Sequence, residues 1–203
     1  LLYGAIDLNK TNFFEYLVTG IINYNTSSRI INLLDTDYNL ISNYHGWQGG
    51  FRFNLGQHRE FNAWKFSYIE TLRYIMLQQP GYTEVGGPIA LQVASSGIGN
   101  ILTLGLGSRM SAINSNPWLS DTRELRAMIT YDVITTDNST TANFIVGGSD
   151  FTISNSAARL ALQLGATYSF TLMNKMFLEC SYDFEVRSKY TDNSGSIKLR
   201  YVF

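Results

Sequence analysis

The chain has 203 residues, enough for one domain with a full core or for one barrel. Its 15 Lys and Arg against 16 Asp and Glu leave a net charge of -1, which excludes a basic nucleic-acid surface and an acidic tail. With 45% hydrophobic residues, 13 Tyr, 12 Phe and only 3 Pro, it is neither disordered nor helical in composition, and no run of about 18 apolar residues offers a helical membrane span.

Taken in chain order, the sequence predicts nine strands. The first, over 1–9, opens on "LLYGAIDLNK", which has neither a basic leader nor a cleavage site. It reads as a strand already under way, so a longer parent chain is expected. A short turn at 9–12 leads to a second strand over 12–25, which carries Phe14, Tyr16 and Tyr24. A long loop is expected over 26–43, then a strand over 44–55 with Trp47. After a short connection, the strand over 64–77 puts Phe66, Tyr68, Leu72 and Tyr74 on one face. Glu70 shares that face, which an interfacial depth or a bulge would explain.

Another long loop is expected over 78–100. The strand over 101–111 sets Leu102, Leu104, Leu106 and Met110 opposite Thr103, Gly105, Gly107 and Arg109. Its "GLG" lacks the spacing and helix of a dinucleotide loop. An intermediate connection over 112–122 follows. In the strand over 123–134, Leu125, Ala127, Ile129, Tyr131 and Val133 alternate with Glu124, Arg126, Met128, Thr130 and Asp132. A third long loop, over 135–157, precedes a strand over 158–170. That strand alternates Leu160, Leu162, Leu164, Ala166, Tyr168 and Phe170 with smaller or polar residues. Past a short turn at 171–175, the strand over 176–187 places Glu179, Asp183 and Arg187 opposite Leu178, Cys180, Tyr182 and Val186. The last strand, over 195–203, sets Ile197, Leu199, Tyr201 and Phe203 against Lys198 and Arg200.

Period-2 alternation also suits a soluble sandwich with its apolar face inside. Three features favour a transmembrane barrel instead. The strands reach the roughly 9–11 residues that a bilayer requires, against about 5–6 in globular sheets. Aromatic residues gather near strand ends, as in interfacial girdles. Short and long connections alternate, as in outer-membrane barrels, with the short stretch 188–194 as the exception on the long side. The polar face would then line a wet lumen with Arg73, Arg109, Glu124, Arg126, Asp132, Glu179, Asp183, Arg187, Lys198 and Arg200.

Candidates for chemistry are few. His45 and His58 have no partners at metal-ligand spacing. Cys180 lies on the apolar face and reads as a small lipid-facing hydrophobe. The carboxylate pairs Glu179/Asp183 and Glu124/Asp132 could serve acid–base catalysis, but a charge-lined pore with cross-strand pairs accounts for them more simply.

Two stretches carry a family resemblance. "FSYIETLRYIMLQQPGYTEVGGPIALQV" is followed by "LTLGLGSRMS", and the chain closes on "FLECSYDFEVRSKYTDNSGSIKLRYVF". In order and spacing they resemble the C-terminal translocator (β) domain of autotransporters, the type V secretion proteins. The resemblance implies an all-β, antiparallel transmembrane β-barrel of about twelve strands, of which residues 1–203 would hold the last nine. It implies a bacterial outer-membrane location and a transport role rather than an enzymatic one, with no cofactor and no nucleic acid. The implied partners are outer-membrane lipid, the barrel assembly machinery and the protein's own N-terminal passenger. It also implies that Ile197, Leu199, Tyr201 and Phe203 form the signal that the assembly machinery reads. A porin-like or adhesin-like barrel without a passenger, and a soluble β-sandwich binding module, are the alternatives.

Overall fold

The computed structural model describes residues 1–115, 119–136, 138–155, 158–172 and 175–201. Thirteen strands are described: β1 (Leu2–Asp7), β2 (Asn12–Leu33), β3 (Thr36–Phe61), β4 (Trp64–Gln78), β5 (Tyr82–Thr83), β6 (Leu91–Val93), β7 (Ile98–Ser115), β8 (Leu119–Thr135), β9 (Asn138–Phe144), β10 (Phe151–Asn155), β11 (Leu160–Leu172), β12 (Met176–Arg187) and β13 (Tyr190–Tyr201). Nine of them form one antiparallel sheet in the order β1-β2-β3-β4-β7-β8-β11-β12-β13. These are the nine strands that alternation marks in the sequence. The other four make a smaller sheet, β10-β9-β6-β5.

The large sheet is strongly curled. Glu15 on β2 and Arg109 on β7 stand three strands apart, which would separate their backbones by about 14 Å in a flat sheet. Their side chains nevertheless meet at 2.9 Å. Among the described residues β1 and β13 each pair on one side only, so the wall is an open trough with two free edges.

Burial in this trough is inverted relative to a soluble protein. The buried set among the described residues holds seven apolar side chains but nine polar ones, including Asn54, Thr71, Thr103, Asp121 and Asp132. Leucines and isoleucines instead cover the outside. In β8 the pattern alternates residue by residue, with Leu125, Ala127 and Ile129 exposed and Glu124, Arg126 and Met128 turned inward. A sandwich would bury the first set and expose the second, so the sandwich reading does not describe this chain.

Several connections differ from expectation. The loop expected over 26–43 is strand: β2 and β3 pair in unbroken register from Asn12↔Gln57 to Leu33↔Thr36. The hairpin turns on Leu34 and Asp35, both at positive φ (51° and 59°), the conformation of a tight two-residue turn. Its Asn, Ser and Thr residues read as loop, yet they bond across the pair: Thr26 to Asn43 at 2.7 Å, Ser28 to Asn39 at 3.0 Å and Asn32 to Asp37 at 2.8 Å. Polar cross-strand pairs of this kind stabilise a ribbon that has no apolar face to signal it. Strand β7 runs to Ser115 and β8 begins at Leu119, so the connection expected over 112–122 is short. Strand β13 likewise begins at Tyr190 rather than 195, after a tight turn at Lys189 (φ 65°).

The loops expected over 78–100 and 135–157 build the smaller sheet. Its apolar side carries Val93 and Ala142, both buried, and its other side carries Gln92 and Thr141. It is fastened to β3. Ile41 and Val85 exchange two backbone hydrogen bonds of 2.9 Å beside the fully buried Leu40. The Tyr44 and Tyr82 rings stack at 4.6 Å. Burial, with Tyr44 and Glu84 beside it, pushes the Tyr82 phenol above its usual range. Glu84 is buried and accepts from Arg29 at 2.5 Å and from the Leu91 amide at 2.9 Å. Glu84→Ala therefore removes a charged acceptor shared by two elements, at about 2 kcal/mol. Hydrogen exchange over 82–93 and 138–144 should quicken roughly 10-fold or more while β8, β11 and β12 stay protected. Unchanged exchange over 82–93 would mean that Glu84 does not hold this sheet in place.

Glu70 lies on the convex face between Leu55 and Leu106. Pairing through β3, β4 and β7 shows no slip there, and the sheet's register shift falls instead at Leu102/Thr103 against β8. The bulge explanation therefore fails for this carboxylate, which is flanked by two leucines.

Candidate functional site

The concave wall carries the charged residues, and register explains how they meet. Arg126, Gly165 and Asp183 are cross-strand partners on β8, β11 and β12. Arg126 and Asp183 reach over Gly165 to pair at 2.7 Å. A Cβ on residue 165 would lie 2.6 Å from the Asp183 carboxylate and 2.7 Å from Arg126 Nε, so only glycine leaves the gap open. On the other wall, Arg109 pairs with Glu15, which also accepts from Asn54 at 3.0 Å. Thr71 in turn donates to Asn54 at 2.9 Å. Glu124 lies 4.0 Å from Arg109 and 3.8 Å from Arg126, linking the two walls. The Arg109 guanidinium covers the Phe13 ring at 5.2 Å.

A second cluster lies nearer the opposite end. Arg187 pairs with Asp132 and with Glu185, the latter at 2.6 Å, and donates to the Ala158 carbonyl at 3.0 Å. Asp132 also accepts from Thr103 at 2.7 Å, and Glu185 from Gln163 at 2.6 Å. Arg187 and Asp132 side chains are only 10% and 7% exposed. Between the clusters lies a cavity of about 340 Å³, lined by Arg52, Arg73, Asn54, Thr71, Gln163 and Asp192 among others.

The ten residues expected in the lumen are distributed as follows. Arg109, Glu124, Arg126 and Asp183 form the first cluster, and Asp132 and Arg187 the second. Arg73 lines the cavity and reaches Thr103 at 3.3 Å. Glu179 and Lys198 are register partners on β12 and β13, and Lys198 and Arg200 lie 5.9 Å and 5.3 Å from the Phe177 ring. Of the residues expected to signal assembly, Ile197, Leu199 and Tyr201 are exposed on the edge strand β13, and Phe203 lies outside the described residues.

The carboxylate pairs considered for catalysis are split up: Asp183 is held by Arg126, and Asp132 by Arg187 and Thr103. Among the described residues no group of three His, Cys, Asp or Glu side chains could hold a metal. Sequence reasoning missed Glu15, Arg52 and Glu185. Glu185 obeys the same alternation as Asp183. Glu15 sits in the aromatic-rich "NFFEYLV", where one carboxylate is easily passed over.

Compared with known proteins, the chain matches the model of the autotransporter beta-domain over residues 1–183. The match stops before β13, so "SGSIKLRYVF" lies outside it. No curated protein gives a significant match.

Proposed function

Because the chain belongs to the autotransporter beta-domain family, a family of outer-membrane translocator barrels, we propose that it anchors and carries to the cell surface a passenger joined to its N-terminal side. One observation supports this most: an apolar convex face surrounds a trough that holds the polar and charged side chains inside. Lipid requires the first, and a chain crossing through water requires the second. The free edges of β1 and β13 would be unpaired in lipid. The smaller sheet and the long β2–β3 hairpin then stand on the cell exterior, and the short turns face the periplasm.

The test is to express the complete protein and treat intact cells with an external protease. Digestion of the N-terminal region, with the barrel spared, is the expected result. An N-terminal region that stays intact until the cells are broken would contradict the passenger role.

The barrel assembly machinery is the proposed reader of the last strand. One interfacial aromatic contributes about 2 kcal/mol by burial, a small share of a barrel's stability, whereas a recognition step can fail when its anchor is lost. Deleting Phe203, or substituting Leu199→Ala, should lower outer-membrane amounts about 10-fold while refolding yields in detergent fall less than about two-fold. Lys198→Ala should leave both unchanged. Equal losses in the two assays would reduce the terminal residues to packing.

A further inference from the structure

Arg52 and Arg73 are direct cross-strand partners on β3 and β4. Both line the concave cavity. Directly opposed side chains in an antiparallel pair lie about 5 Å apart at Cβ, and like charges there repel. Every other arginine of the two concave clusters is neutralised: Arg109 by Glu15, Arg126 by Asp183, and Arg187 by Asp132 and Glu185. Among the described residues Arg52 and Arg73 have no carboxylate within ion-pair distance. Arg73 Nε is shielded from solvent without a hydrogen-bond partner, and its other contact is the long bond to Thr103. Arg52 is exposed to the cavity. The neighbouring acceptors are already used, Asn54 by Thr71 and Thr103 in its bond to Asp132.

Two adjacent guanidinium groups with free donors form a fork that fits a carboxylate, whose two oxygens can be shared between them. We infer that Arg52 and Arg73 form an anion site for an acidic side chain, Asp or Glu, of the polypeptide joined to the N-terminal side of this chain, where that polypeptide passes through the trough. This assignment rests on the passenger reading for the identity of the segment, but not for the site itself. The occupant relieves the repulsion between the arginines and fixes the segment against the β3–β4 wall. The opposite wall carries Asp183, Glu185 and Asp192, with Glu185 and Asp192 also register partners. A segment that is acidic on one side therefore has a single favourable rotation in the lumen.

The complete protein in outer-membrane fragments tests this in two ways. The arginine reagent phenylglyoxal is applied, and modification is read by mass spectrometry. Arg52 should react at least about five times more slowly than the exposed Arg159, because an occupant covers it. Protection should survive dialysis. Protection that dialysis removes points to a free anion and overturns the segment assignment, and Arg52 reacting as fast as Arg159 overturns the site.

In cells, R52E/R73E should lower surface exposure of the N-terminal region about 10-fold at unchanged amounts of heat-modifiable barrel, whereas R52K/R73K should keep at least about half. Wild-type exposure in R52E/R73E overturns the proposal. If R52E/R73E fails to assemble, the phenylglyoxal result on the wild-type protein decides. If even the wild-type protein exposes no N-terminal region, the passenger role fails and the labelling alone judges the site: lasting protection upholds it and rapid modification ends it.

Discussion

Ile129→Arg should destabilise the membrane-inserted protein by about 2–4 kcal/mol, while Met128→Arg, one residue away, should be tolerated. Ile129 points out of the convex face at mid-strand, flanked in register by Leu106 and Leu162. All three are exposed, at 58%, 67% and 40%. In lipid, an arginine at such a position costs about 2–4 kcal/mol near the midplane. In water, an exposed substitution of this kind stays within about 0.5 kcal/mol. The sign of the membrane reading is therefore built into this one residue. Met128 faces the cavity beside Gly105, where a cation enters water and finds carboxylates near it. Denaturant unfolding in bilayers should show Ile129→Arg at least 2 kcal/mol less stable than Met128→Arg. The reverse order would place lipid on the wrong face.

The second large effect concerns Arg187. Its removal leaves Asp132 buried beside a single hydroxyl, that of Thr103, and takes from Glu185 its closest cation. Breaking a buried ion pair by deleting one partner typically costs about 3–5 kcal/mol, because an uncompensated charge is left behind. Arg187→Ala should lose that much, and Asp132→Leu combined with Arg187→Met should recover most of it. The denaturant midpoint reports both. A loss under about 1 kcal/mol for Arg187→Ala would show that water reaches Asp132 freely enough to replace the arginine.

Much of the wall was legible because alternation survives wherever one face meets lipid and the other meets water. Leu125 to Val133 and Leu160 to Phe170 declare their faces without help from any neighbour. The β2–β3 extension was not legible. Residues 26–43 are mostly exposed on both faces, with only Leu40 and Ser42 buried, where the smaller sheet packs, so the signal of a half-buried strand is weak. Thr26, Ser28 and Asn32 then look like loop residues, and only their bonds to Asn43, Asn39 and Asp37 reveal the ribbon. The smaller sheet was hidden for another reason: β5 and β6 have two and three residues, too few to carry a period. In the site, alternation groups the charged residues on one side of each strand but does not say which of them meet. Glu15 and Arg109 are 94 positions apart in sequence and three strands apart in the sheet, and curvature alone joins them. Gly165 was equally silent, since its purpose is the space it leaves for Arg126 and Asp183.

The central claim is that the convex face meets lipid and the concave face meets water. Single cysteines at positions 128 and 129, in the complete protein with Cys180→Ala, test it with a water-soluble maleimide that cannot enter the bilayer. Cys180 is the one cysteine of these 203 residues, and any cysteine elsewhere in the complete protein is replaced as well. The account predicts that position 128 is labelled in the folded, membrane-inserted protein and that position 129 reacts only after unfolding. Rapid labelling at 129 with protection at 128 would contradict it.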